Sequence, residues 1–177
     1  QYFALSEGMG QGQKASDDSS LTLDIMKQLI INGISLKDAV QSVNALLKIK
    51  NRNDMFTTLD LIQVNLVLGK AVLVKYGACP TYILRDNELI ELKSQSLPMG
   101  IVSPLETSTD KYQLLENDII FMVSDGFTSQ FGDFIENNKY LIDEDHPKEI
   151  AHLLTNLASD EEKNDDMTLI VLKLCKQ

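Results

Sequence analysis

The apolar positions of the chain change period along its length, and each change predicts a different kind of element. Between residues 16 and 31, Leu21, Ile25 and Leu29 recur every fourth position, which predicts a helix. Ser16, Asp17 and Asp18 supply a cap and dipole-compatible acids at its start. Gly33 is a stop signal, and Ser35 can cap a second helix in which Leu36, Ala39, Val40, Val43, Leu46 and Leu47 share a face. From Phe56 the period falls to two, in the runs FTTLDLIQVNL, KAVLVKYG, TYILRD and ELIELK. Gly69, Gly77, Pro80 and Asn87 separate them, which predicts consecutive antiparallel strands. A further extended stretch is expected over 106–113, and NDIIFMVSDG predicts a buried strand running into a turn at Asp125 and Gly126. Residues 131–145 read as irregular and acidic. Pro147 then opens a helix through Ala158, with Ile150, Leu153, Leu154 and Leu157 on its apolar face, and MTLIVLKL is the closing strand. The opening QYFALSEGMG reads as a strand entered part-way through a fold. No repeat or linker interrupts the order, so the expectation is an α+β layered sandwich in a single domain, 1–177.

Composition narrows what such a domain can do. The chain has 177 residues, 44% hydrophobic and 24% charged, which suits one sizeable core. A formal charge of -10 with no basic stripe excludes nucleic acid as a partner and disfavours anionic lipid. An acidic protein that handles a phosphate ester must neutralise its own field locally, and bound divalent cations do this most directly. The apolar runs are strand-sized, well short of the roughly 20 residues of a membrane helix, so no direct membrane insertion is expected. The first residues lack the regions of a signal peptide. Two well-separated cysteines, Cys79 and Cys175, are expected to be reduced, buried thiols in a cytoplasmic protein.

Candidate chemistry gathers where loops meet apolar strands. Glu7 follows YFALS, Asp125 follows IIFMVS, and Asp165 with Asp166 precedes MTLIVL. Taken singly, each has an ordinary explanation as a turn or surface acid. Taken together, three acid-bearing strand ends would make an oxygen-ligand nest for magnesium or manganese, with Gly8, Gly10 and Gly126 allowing close backbone approach. Two bridged ions there would activate a water for in-line displacement at phosphorus, with no protein nucleophile. A rival enzyme is a cysteine phosphatase, because Cys79 and Arg85 satisfy C-x5-R. However, CPTYILR is strand-like, lacks an inner glycine and loses an amide at Pro80. His146 and His152 are not placed on one helical face as a metal pair. Lys14 ends GMGQGQK, which lacks the spacing of a nucleotide-binding loop, and reads as a solvated helix-start lysine or a residue steering the substrate phosphate.

The strings SEGMGQGQKA, MFTTLDL, KYGACPTYI, LPMGI, FMVSDGF and NDDMTLIVLKL, in this order and over nearly the whole chain, resemble the metal-dependent protein phosphatases of type 2C. The resemblance is to the bacterial stage II sporulation protein E and stress-response group. It implies an αββα sandwich with two manganese or magnesium ions between antiparallel sheets. By position, Glu7 matches the bridging acid, Gly8 the residue whose carbonyl joins the coordination, and Asp125 and Asp165 the remaining ligands. Asp166 and Gly126 adjoin them. The family pattern has aspartate at the Glu7 position, a difference of one C–C bond, about 1.5 Å. The family's first strands, with a further acid, would lie upstream of Gln1. The resemblance further implies a phosphorylated small protein as substrate, of the anti-sigma-factor antagonist type, and a helix pair that relays partner input or joins two copies. The alternative is a catalytically impaired phosphatase fold acting as a docking module.

Overall fold

The computed structural model describes residues 1–10, 12–50, 56–93, 96–102, 109–142, 146–159 and 166–175. Eight strands run in the order β1 (Tyr2–Leu5), β2 (Leu59–Asn65), β3 (Lys70–Tyr76), β4 (Thr81–Arg85), β5 (Glu88–Leu92), β6 (Asp110–Gln113), β7 (Ile119–Val123) and β8 (Leu169–Lys173). The α-helices are α1 (Gln13–Ile31), α2 (Leu36–Lys50), α3 (Phe131–Asn138) and α4 (Pro147–Ser159). They divide into two compact units, residues 1–78 with 94–112 and residues 79–93 with 113–177. Each unit pairs a four-stranded sheet with two of the helices, so the expected α+β architecture of antiparallel sheets and flanking helices is present.

In the first unit the sheet order is β1-β2-β3-β6, with β1 antiparallel to β2 and β2 antiparallel to β3. Alternation puts Leu59, Leu61, Val74 and Tyr76 into one core with Met26, Val40, Val43 and Leu47 from the helices. Gly33 ends α1 as expected. Its φ is 82°, and the amides of Gly33 and Ile34 reach back to the carbonyls of Ile30 and Leu29, at 3.0 Å each, the pattern of a Schellman stop. Ser35 caps α2, its Oγ accepting from the Asp38 amide at 3.2 Å and donating to Asp38 Oδ2 at 2.6 Å. Two details of α1 differ from expectation. The helix begins at Gln13, ahead of Ser16, after Gly12 at φ 80° with no side-chain cap. Its fully buried stripe is Asp18, Thr22 and Met26, while Leu21, Ile25 and Leu29 are half-buried. The helix is rotated because Thr22 meets a buried threonine, Thr57, at 3.2 Å. Leu21 and Ile25 instead line an open apolar groove with Val43, Leu46, Leu47 and Ile49 of α2.

In the second unit the order is β5-β4-β7-β8, all antiparallel. The predicted strand run is therefore split: β3 and β4 belong to different sheets, and Gly77 to Pro80 is the crossing point rather than a hairpin turn. The β4–β5 turn carries Asp86 and Asn87 at φ 47° and 66°, as a two-residue type I′ hairpin requires. Arg85 grips the buried Asp118 with Nε on Oδ1 at 2.9 Å and Nη2 on Oδ2 at 2.7 Å. This hydrogen-bonded carboxylate holds the guanidinium above its ordinary pKa. The segment from 131, expected to be irregular, contains helix α3. Phe131, Phe134 and Ile135 share one face, and the Phe131 ring lies 5.3 to 6.1 Å from those of Tyr82, Phe121, Phe127 and Phe134. Residues 143–145 of that stretch, and 106–108 of the expected extended stretch before β6, lie outside the described residues. Pro147 opens α4, whose first amides are taken by the His146 carbonyl. Both cysteines are free thiols, yet neither is buried as expected: Cys79 is half-buried and Cys175 exposed. Among the described residues no helix is long and apolar enough to cross a membrane.

Candidate metal centre

The residues expected to bind metal fall into two groups, one in each unit. In the first, the line of β1 continues beyond Leu5 as a paired segment. Ser6 Oγ donates to the Thr58 carbonyl at 2.6 Å, and the Glu7 amide donates to Thr58 Oγ1 at 2.9 Å. The Thr58 amide returns to the Glu7 carbonyl at 2.8 Å. Gly8 forms an antiparallel bridge with Thr57, and the Met9 amide donates to the Phe56 carbonyl at 2.8 Å. Four consecutive residues are thus tied to 56–58, and the half-buried Glu7 is presented from a fixed backbone. Gly8 lies directly against the Ala15 carbonyl in the first turn of α1, where any Cβ would collide. Its glycine is required by close approach and not by a left-handed φ.

In the second unit, Asp125 leaves the end of β7 exposed. The expected turn there is a 3-10 helix, Asp125–Gln130, closed by the Phe127 amide on the Ser124 carbonyl at 3.1 Å. Ser124 clamps the entry to β8: its amide donates to the Thr168 carbonyl at 3.0 Å, and its Oγ accepts from the Thr168 amide at 2.8 Å. Gly126 packs onto the Asp166 carbonyl and the Met167 Cα, again leaving no room for a side chain. The Asp125 and Asp166 strand ends are therefore drawn together, with Asp166 exposed; Asp165 lies outside the described residues. Carboxylate and backbone oxygen donors on fixed strand ends fit a hard divalent cation. Among the described residues no group of three or more His, Cys, Asp or Glu gathers to hold a metal.

The other candidates take ordinary places. Lys14 is exposed on the first turn of α1, His146 is exposed just before α4, and His152 is exposed on it. Arg85 ends strand β4 in its fork with Asp118, with no phosphate loop and helix after Cys79, so the C-x5-R reading fails. The residues that position the acids, Thr57, Thr58, Ser124 and Thr168, were not singled out from sequence. Their only signal was polarity at the ends of apolar strands.

The chain matches solved phosphatase folds. The PP2C phosphatase domain of SpoIIE from Bacillus subtilis aligns at TM-score 0.87 and 26% identity, covering 98% of this chain and 53% of that one. The catalytic domain of the serine/threonine phosphatase PstP, solved with two manganese ions, aligns at TM-score 0.75 and 18% identity, covering 99% and 88%. The fold is that of a PP2C-type serine/threonine protein phosphatase domain. The Stage II sporulation protein E of Priestia megaterium is 31% identical over 97% of this chain and 31% of its own length. The profile of the Stage II sporulation protein E (SpoIIE) family matches residues 2–174, and the chain belongs to that family. It spans under a third of the Priestia megaterium relative.

Proposed function

We propose that residues 1–177 form one phosphatase domain that removes phosphate from a phosphoserine or phosphothreonine of a small regulatory protein, of the anti-sigma-factor antagonist type, in the cytoplasm. Glu7, the Gly8 carbonyl, Asp125 and Asp165 would hold two manganese or magnesium ions. Asp166 and Gly126 would shape the second half of the site. When bound, such ions supply Lewis acidity toward phosphoryl oxygens and lower the pKa of water. The chain's own part is to aim carboxylates from rigid strand ends and to keep the field of a -10 protein from repelling the phosphate. The observation that carries this reading is the cross-linking of both acid-bearing segments. Glu7 is tied to Thr58, and Gly126 is pressed on Asp166, so neither loop is free to wander. We assign the apolar groove along α1 and α2 to self-association, or to relayed partner input.

The test is manganese-dependent hydrolysis of p-nitrophenyl phosphate by the protein, beside Glu7→Asp and Asp125→Asn. Turnover that needs manganese and is lost in Asp125→Asn is the expected outcome. Turnover retained in Glu7→Asp would show that one methylene is accommodated. No turnover in the parent or in Glu7→Asp, with no metal bound, would instead support the docking module.

A further inference from the structure

Helix α2 carries a single buried amide in an otherwise apolar face, and both of its hydrogen bonds leave the helix. Asn44, 1% exposed, accepts from the Gly100 amide through Oδ1 at 2.8 Å and donates through Nδ2 to the Val102 carbonyl at 2.9 Å. The segment it holds has no regular structure beyond one bridge. That bridge pairs Met99 with Thr57, the Met99 amide on the Thr57 carbonyl at 2.8 Å and the Thr57 amide on the Met99 carbonyl at 3.2 Å. Thr57 in turn bridges Gly8. A second tie comes from α1. Thr22 Oγ1 donates to the Asp18 carbonyl at 2.9 Å, so in the 3.2 Å contact with Thr57 Oγ1 the single hydroxyl proton must come from Thr57. Asn44, Thr22, Thr57 and Met99 are all between 0 and 1% exposed. Water therefore cannot readily replace the Asn44–Gly100, Met99–Thr57 or Thr22–Thr57 links, whereas the ends at Val102 and Gly8 are more open, and a displacement of Asn44 is felt along the enclosed part of the chain of bonds.

We infer that Asn44 is a positioning residue for the Glu7–Gly8 segment, acting through Gly100, Met99 and Thr57. This rests on the proposed role of Glu7 and Gly8 as metal ligands. Groups that orient a ligand from behind typically cost about 10- to 100-fold in metal affinity when removed. An amide that only fills space in a helix face would not touch metal affinity at all.

The experiment is manganese titration by isothermal calorimetry on the protein and on Asn44→Leu, Asn44→Asp, Val74→Ala and Glu7→Gln, with kcat measured at saturating manganese. Asn44→Leu should raise the manganese dissociation constant about tenfold and leave kcat at saturating metal unchanged. Asn44→Asp keeps the acceptor for Gly100 and should recover part of the affinity. Val74→Ala weakens the same core away from the path and should bind manganese like the parent. The inference is overturned if Asn44→Leu binds manganese normally, or if Val74→Ala loses as much. Should Glu7→Gln also leave binding intact, the metal reading itself has failed. If Glu7→Gln weakens binding while Asn44→Leu does not, only the inference about Asn44 falls.

Discussion

Tyr82 shows how a residue's surroundings set its titration. Burial, reinforced by the nearby charge of Glu91, pushes its phenol up to about 12. The hydroxyl donates to Glu91 Oε1 at 3.4 Å, and the ring lies 5.5 Å from Phe131. In the unfolded chain the same phenol titrates near its ordinary value of about 10. The folded state thus keeps a proton that the unfolded state has released, and the contribution present below pH ~10 is lost as pH climbs toward ~12. Urea midpoints of the parent and Tyr82→Phe, measured at pH ~9 and ~11.5, should move relative to each other in favour of the phenylalanine variant. A constant difference would show that the phenol is not buried as described. Gly8 and Gly126 make a different residue-scale point. Each is pressed onto another segment's carbonyl, so glycine is needed there for approach, and this could be read from sequence only as a glycine beside an acid.

At the scale of elements, what was legible depended on whether the signal was local. β2, β3, β4 and β5 were legible because alternation and turn chemistry at Gly69, Gly77 and Asn87 act within a few residues, and β7 because it is a continuous apolar run ending in a turn signal. Helix α3 was not, because Asp133 and Glu136 dilute a short apolar face whose stability comes from packing on distant Tyr82 and Phe121. The buried stripe of α1 differs from its apolar pattern for a related reason: its most enclosed positions include Asp18 and Thr22, and the burial of Thr22 is explained only by its tertiary partner Thr57. The candidate metal-binding acids stand out in the sequence at strand ends, whereas Thr58 and Asn44 make their hydrogen bonds to residues 51 and 56 positions away. The half-buried leucines and isoleucines of α1, together with Leu46 at 46% and Ile49 at 78% exposure on α2, leave an apolar surface on the helix pair. If two copies meet there, sedimentation should give a dimer for the parent and a monomer for Ile49→Asp. A monomer in both would assign the groove to something other than a second copy.

For the whole molecule the decisive quantity is charge. A chain of net charge -10 that aims Glu7, Asp125 and Asp165 at one phosphate-handling centre would place like charges together, and the metal-free fold would carry that repulsion. Cations that bind the folded state and not the unfolded chain would then stabilise it by mass action, by about 2.7 kcal/mol at a hundred times the dissociation constant. For a domain of this size each kcal/mol moves the melting temperature by roughly 2–4 °C, so saturating manganese should raise it by roughly 5–10 °C over a chelator-treated sample. Sodium chloride at matched ionic strength screens the general surface field but cannot reproduce coordination, and should raise it far less. Asp125→Asn removes one of the crowded charges along with one ligand. It should therefore melt no lower than the parent without metal, yet lose most of the rise that manganese gives. A melting temperature indifferent to manganese, or a rise that sodium chloride matches, would mean that the acids are ordinary surface charges and that the strand ends do not share a metal.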